Sequence, residues 1–236
     1  MVTGIEVETK DTTALSDAEI AEMADLCVEA AGVAGFPGSG QEVGFLSKQR
    51  EEWVLVTTAR ESGQLRAFVL ATLERIGGTP CLLVGVASVA RGSVAEGLLC
   101  ATMRDLYRRA VLAFPDEDVL VGARLAMSAG YRAYAGLEEI VPRSAHKATG
   151  EERAWGRRLA KRFGAEGRLD DRTFVLTGDG GPCGLLDYVP ETPPEGVEAF
   201  EEFFSDLVPE RGDTLVVFGW AMAEDLAGGA LLADGE

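Results

Sequence analysis

A chain of 236 residues is long enough to bury a substantial core, and 47% apolar with 26% charged residues is the composition of an ordinary globular protein. The net charge of −17 argues against nucleic acid as a partner for the chain as a whole, and no apolar run reaches the length of a membrane span. With one histidine (His146), four scattered cysteines (Cys27, Cys81, Cys100 and Cys183) and no signal-peptide pattern, the expectation is a cytoplasmic protein with reduced, buried thiols and no metal centre.

Ile5 to Thr9 alternate as a half-buried strand does. Ser16-Asp17-Ala18-Glu19 is a capping box, and the helix it opens puts Ile20, Met23, Cys27 and Ala31 on one side. Gly32, Gly35, Pro37 and Gly38 end that helix in a loop, and a second helix over 41–52 leads into Trp53. Two strands follow, 54–58 and 65–75, joined by a turn at Glu61 to Gln64. After Gly77-Gly78-Thr79-Pro80 comes Cys81 to Ala87, apolar almost throughout and so expected at the centre of a sheet. A run of small residues then opens a helix that ends near Leu112, and a buried strand follows at 119–123. A short helix over 129–134 and a strand at 138–141 complete this part.

Beyond residue 145 the pattern changes. Thr149-Gly150-Glu151-Glu152 is a second capping box, and Trp155, Leu159 and Phe163 fall on one face of its helix. That helix is basic, with Arg153, Arg157, Arg158, Lys161 and Arg162, whereas residues 181–236 hold thirteen acids against Arg211 alone. Two solvated faces that attract each other account for the pair. A strand at 173–176, a glycine-rich loop at 178–184, an acidic helix opened by Pro193 and Pro194, and a last strand at 215–218 are expected in turn. In that acidic helix Val197, Phe200, Phe204 and Leu207 point inward. His146, in a loop beside Lys147, reads as a solvated residue.

The stretch that carries chemistry is the turn Ala90-Arg91-Gly92-Ser93-Val94-Ala95. A strand that empties into small residues opening a helix leaves backbone N–H groups bare at the positive end of a helix dipole, a seat for a phosphate. The order of elements over 1–145, together with this turn, resembles the GNAT superfamily of N-acyltransferases. The pyrophosphate loop of that family reads Arg or Gln, two residues, Gly, one residue, then Gly or Ala. With the helix register set by Leu98-Leu99, Ser93 and Ala95 hold the small positions, Val94 the one between, and Ala90 stands where the family has its polar head. Arg91, one place later, brings a positive charge.

The resemblance implies a mixed, mostly antiparallel sheet flanked by helices over 1–145, with 146–236 as a C-terminal α/β extension packed on it. It implies acetyl-CoA or another acyl-CoA as co-substrate, held by the backbone of Val86, Ala87 and Ser88 along its pantetheine arm. Arg91, Gly92, Ser93, Val94 and Ala95 would hold its pyrophosphate. Acylating an amine needs a base for the nucleophile and an acid for the departing thiolate. Tyr131 and Tyr134 match the family's acid only loosely, because Gly130-Tyr131 equally fits its Gly-Phe. No acid lies in 81–90, so a base must come from elsewhere, Glu74 on the preceding strand or the acidic C-terminal region. The acceptor implied is a small amine, cationic on the overall charge, and a carrier-protein donor is less natural for so acidic a chain. The alternative is a non-catalytic member that senses a ligand or binds a partner, or an enzyme of different chemistry on the same scaffold.

Overall fold

The structure, a computed structural model, describes residues 4–30, 42–92, 94–180 and 186–231. The loop expected around Gly35 to Gly38, the thiol of Cys183 and the turn residue Ser93 lie outside these. Nine strands form one mixed, mostly antiparallel sheet among the described residues. Strands β1 (Ile5–Asp11), β2 (Leu55–Glu61), β3 (Gln64–Ile76) and β4 (Thr79–Val89) pair in sequence, each antiparallel to the next. Strand β4 then runs parallel to β5 (Val119–Leu125), as a crossover through helix α3 (Ala95–Ala113) requires.

Both expected capping boxes close. At the start of α1 (Asp17–Ala30) the Ser16 hydroxyl accepts from the Glu19 N–H at 3.3 Å, and the Ser16 N–H donates back to Glu19 at 2.9 Å. Thr149 and Glu152 make the same exchange at the head of α4 (Gly150–Arg162). Helix α2 (Glu42–Glu52) leads into Trp53. Six successive residues of β3, Ala67 to Thr72, are buried, so both sheet faces are covered there. Helix α1 packs on β3 and β4, and α3 on β1 to β4. No helix among the described residues is long and apolar enough to cross a membrane.

The division expected at 145/146 does not match the sheet. Strand β9 (Thr214–Ala221) lies antiparallel to β5 from Leu125↔Leu215 to Val119↔Ala221, and its other edge pairs with β6 (Glu138–Val141). The final strand therefore completes the sheet, and residues 142–213 are an insertion between β6 and β9. Its helix α4 seats Leu159 over Gly122 of β5, where a Cβ would meet Leu159 at 3.2 Å. Trp155 meets Trp220 edge-on at 6.3 Å, and Phe174 meets Phe218 at 6.1 Å.

Two expected elements shrink. The strand at 173–176 becomes β7 (Val175–Leu176), because Phe174 takes a left-handed φ of 61° that no strand continues through. The acidic helix becomes a 3-10 turn, Glu198–Phe204. Glu198, Glu201 and Glu202 have no base at i+4 to support a longer helix. Residues Ser128–Tyr134 are likewise 3-10.

Asp213 ties the insertion down. Its buried carboxylate accepts from the Arg211 guanidinium at 2.7 and 2.5 Å and from the N–H groups of Gly178 and Val208 at 2.9 and 3.1 Å. The Arg211 bonds, and then the two backbone N–H groups, hold its carboxyl down to about 2, against burial that opposes them. A depressed carboxyl stabilises the fold above its unfolded value and loses that contribution as pH falls through the folded one. Wild type is therefore expected to shed stability between about pH 4 and pH 2 more steeply than Asp213→Asn. At neutral pH the variant should be weaker by ~1–3 kcal/mol. Urea unfolding at stepped pH measures both. Glu19, also held near 2 through Lys10, contributes equally to the two proteins. Parallel pH profiles would show that Asp213 is not the anchor.

Candidate functional site

The parallel strands β4 and β5 pair only at their start, Cys81 to Leu83 against Leu120 to Gly122. The reason for their parting lies in β4. Its register against β3 steps from Ala71↔Val84 to Leu70↔Val86, which leaves Gly85 as an extra residue. Such a bulge bends its strand and strengthens the local twist. Gly85 is the residue type this bend needs, since a Cβ there would lie 1.9 Å from the indole of Trp53. Trp53 is held in turn by its Nε1–H, which donates to Gln49 at 2.9 Å, and by Arg162 stacked 4.7 Å over its ring.

Past the bulge the strands splay into a wedge, and the chain itself fills it. Strand β8 (Leu186–Asp187) runs parallel between them, with Leu186 opposite Ala87 of β4 and also opposite Leu125 of β5, and Asp187 opposite Ser88. One strand spacing on each side sets β4 and β5 about 10 Å apart at this level. Tyr188 follows, 0% exposed, within electrostatic reach of Glu96, Cys100 and Arg132. Two buried hydroxyls at this place, Ser88 Oγ and Tyr188 OH, have no hydrogen-bond partner among the described residues. Each orphan of this kind costs ~1–3 kcal/mol.

The residues expected to hold a pantetheine arm, Val86, Ala87 and Ser88, therefore line the wedge, and β8 takes the ladder positions of Ala87 and Ser88. The expected pyrophosphate turn lies directly beyond. Arg91 is exposed, Gly92 has a φ of 129°, and α3 begins at Ala95 after Val94, which offers no side-chain cap. The N–H groups of Ala95 and Leu98 are already taken by Gly92 and Val94 carbonyls. Glu96, in the first turn of α3, is ion-paired to Arg132.

The expected catalytic side chains are not assembled here. The Tyr131 hydroxyl donates to the Pro142 carbonyl and that of Tyr134 to the Val217 carbonyl, each at 3.2 Å. Burial raises the pKa of both, and Phe200 stacks on the Tyr131 ring at 3.8 Å. Glu74 sits opposite Cys81, six residues or roughly 20 Å along β4 from the wedge, and is ion-paired to Arg162 at 2.6 Å. The residue that sequence reasoning missed is Tyr188, the third tyrosine close to the α3 start. Its only signal was a tyrosine two places past the apolar Leu185-Leu186 pair.

Two clefts lie among the residues around the wedge, one lined by Glu96 and the other by Trp53. One, of about 550 Å³, is lined by Glu96, Tyr131, Arg132 and the segment Thr192 to Val197. The other, of about 360 Å³, lies between α2 and α4 beside Trp53 and carries Arg124, Lys161, Arg162 and Arg168 with Glu52 and Asp179. His146 lies away from both, with its Nε2 2.9 Å from each Glu152 oxygen. Cys27, Cys81 and Cys100 are buried, and burial pushes the Cys81 thiol up to about 11.

No protein-family model and no curated protein matches the chain. Solved structures do. An aminoglycoside 6'-acetyltransferase type Ii aligns at 10% identity over 59% of this chain and 88% of its own, with a TM-score of 0.42. A GNAT family acetyltransferase from Brucella melitensis, in complex with acetyl-CoA, aligns at 18% identity over 49% and 75%, with a TM-score of 0.36. An acyl-CoA N-acyltransferase from Pseudomonas aeruginosa aligns at 20% identity over 56% and 84%, with a TM-score of 0.40.

Because the bulge rests on one contact, Gly85→Ala is expected to lower stability by ~3 kcal/mol in urea unfolding, the cost of overpacking against a rigid indole. A loss below about 1 kcal/mol would mean that the indole moves aside at little cost and does not hold the bend.

Proposed function

We propose that the chain is an acyl-CoA-dependent acyltransferase that acts on the amine of a small acceptor. The splay of β4 from β5 past Gly85 carries this reading. Two parallel strands forced apart expose N–H and C=O groups on both inner edges, and those groups need partners. A chain with its own amides, threaded between them, meets that need. The pantetheine arm of an acyl-CoA is such a chain, and it would run from Val86–Ser88 toward Arg91. The thioester would then lie near the bulge, beside the cleft that Trp53 lines.

That cleft alters the expectation for the acceptor. A cationic amine follows from the overall charge, but residues 181–236, with thirteen acids against Arg211 alone, supply twelve of the seventeen net negative charges. The cleft lining itself carries four cationic side chains and two carboxylates. An amine that also bears an anionic group suits it better. Arg162 and Arg168 are already paired, with Glu74 and Asp179, and orient the lining from both sides. The amine must arrive neutral or lose its proton to water, since β4 supplies no carboxylate.

A second reading has its own observation. Strand β8 already occupies the wedge, which favours a non-catalytic scaffold whose donor slot has become part of the core. Donor binding separates the two. Calorimetric titration with acetyl-CoA, a longer acyl-CoA and free CoA is expected to give micromolar binding, and Arg91→Glu should weaken it about tenfold. Silence from wild type and from variants with a weakened β8 would overturn the transferase reading and leave the scaffold.

A further inference from the structure

A strand that belongs permanently to a core satisfies its polar groups and pairs along its length. In β8, among the described residues, Leu186 and Asp187 pair, and only Leu186, opposite Ala87 and Leu125, bridges both neighbours. At the same place Ser88 Oγ and Tyr188 OH are buried without a partner. Buried hydroxyls in native interiors are nearly always bonded, so two orphans together mark a fit that is close but incomplete. Tyr188 reaches from the wedge toward Glu96 and Arg132 on α3 and the turn after β5, the side on which the 550 Å³ cleft opens. The segment thus lies along the path from the splayed strands to the start of α3.

We propose that Leu186–Tyr188 is a displaceable occupant of the wedge, an internal competitor that closes the acyl-donor site until a thioester takes its place. This rests on the transferase reading, since the segment has nothing to compete with if no donor enters. Leu186 holds the two strand edges, and Tyr188 covers the route to Arg91. The orphan hydroxyls weaken the closed form, and they leave unmet hydrogen-bond capacity that an amide-bearing donor could use. The apparent donor affinity is then the intrinsic affinity reduced by the fraction of molecules with the wedge open.

Two substitutions at one position move that fraction in opposite directions. Tyr188→Phe keeps the ring and removes an unpaired hydroxyl, so it tightens closure and should weaken acetyl-CoA binding about fivefold. Tyr188→Ala and Leu186→Gly loosen closure and should strengthen binding at least tenfold. Calorimetry on the full chain reads the affinities, with circular dichroism and thermal melts as the check on folding. In wild type, saturating acetyl-CoA should raise amide hydrogen exchange at 186–188 while that of β9 stays unchanged. A tyrosine that served only in packing would leave donor affinity the same in Tyr188→Phe. Equal affinities in wild type and Tyr188→Phe, with no exchange change at 186–188, overturn the competitor and leave the transferase reading standing. No binding in wild type, Tyr188→Phe or any folded loosened variant overturns both. Should the loosened variants fail to fold, Tyr188→Phe and the wild-type exchange decide the matter.

Discussion

The architecture turns on one contact, the indole of Trp53 against the backbone of Gly85. It lies where β4 acquires its extra residue, and everything beyond follows from the bend. Without the bulge, β4 and β5 could remain paired to their ends, as they are at Cys81 to Leu83. With it, each strand has an inner edge whose N–H and C=O groups must be satisfied by a third chain. Trp53 is itself over-determined, by Gln49 from α2, Arg162 from α4 and Phe163 at 6.3 Å. The insertion therefore braces the residue that opens the wedge and also supplies the strand that fills it.

Much of the framework was legible because its signals are local. The capping boxes at Ser16 and Thr149 and the apolar run of β4 each announce an element from neighbouring residues alone. The Trp155-Leu159-Phe163 spacing does the same, and these three are buried together. The place of β9 was not legible in this way. Thr214 to Ala221 read as a strand, but nothing in those residues says that they return to β5 across a 72-residue insertion. Strand β8 carries still less signal, since two residues after a glycine-rich run have no periodicity to detect. Its identity as a strand comes wholly from the vacant edges on either side.

The site residues divide along the same line. Val86, Ala87 and Ser88 line the wedge because strand order and register put them there, and element order is what the sequence pattern conveys best. Chemical type singles out the tyrosines, and type does not say where a hydroxyl points. Tyr131 and Tyr134 spend theirs on the carbonyls of Pro142 and Val217, both far along the chain or across the sheet. Register places Glu74 opposite Cys81, at the other end of β4 from the wedge. The expectation of a cationic acceptor rests on net charge, which describes the whole surface, whereas a cleft has its own lining.

The tethering of β8 determines how it can act. Downstream, Phe200 is stacked on Tyr131 at 3.8 Å and Phe204 meets the same ring edge-on at 6.1 Å. Such aromatic contacts contribute ~1 kcal/mol each beyond the area they bury. Phe200 lies twelve positions after Tyr188, enough chain to span roughly 40 Å when extended. The segment can therefore leave the wedge while its downstream anchor stays in place. Upstream, Asp213 holds Gly178 through its N–H at 2.9 Å. A short segment pinned on both sides returns to its slot at an effective concentration on the order of millimolar. A donor from solution competes against that value. The insertion thus sets a threshold on donor concentration without any change in the strands that form the site.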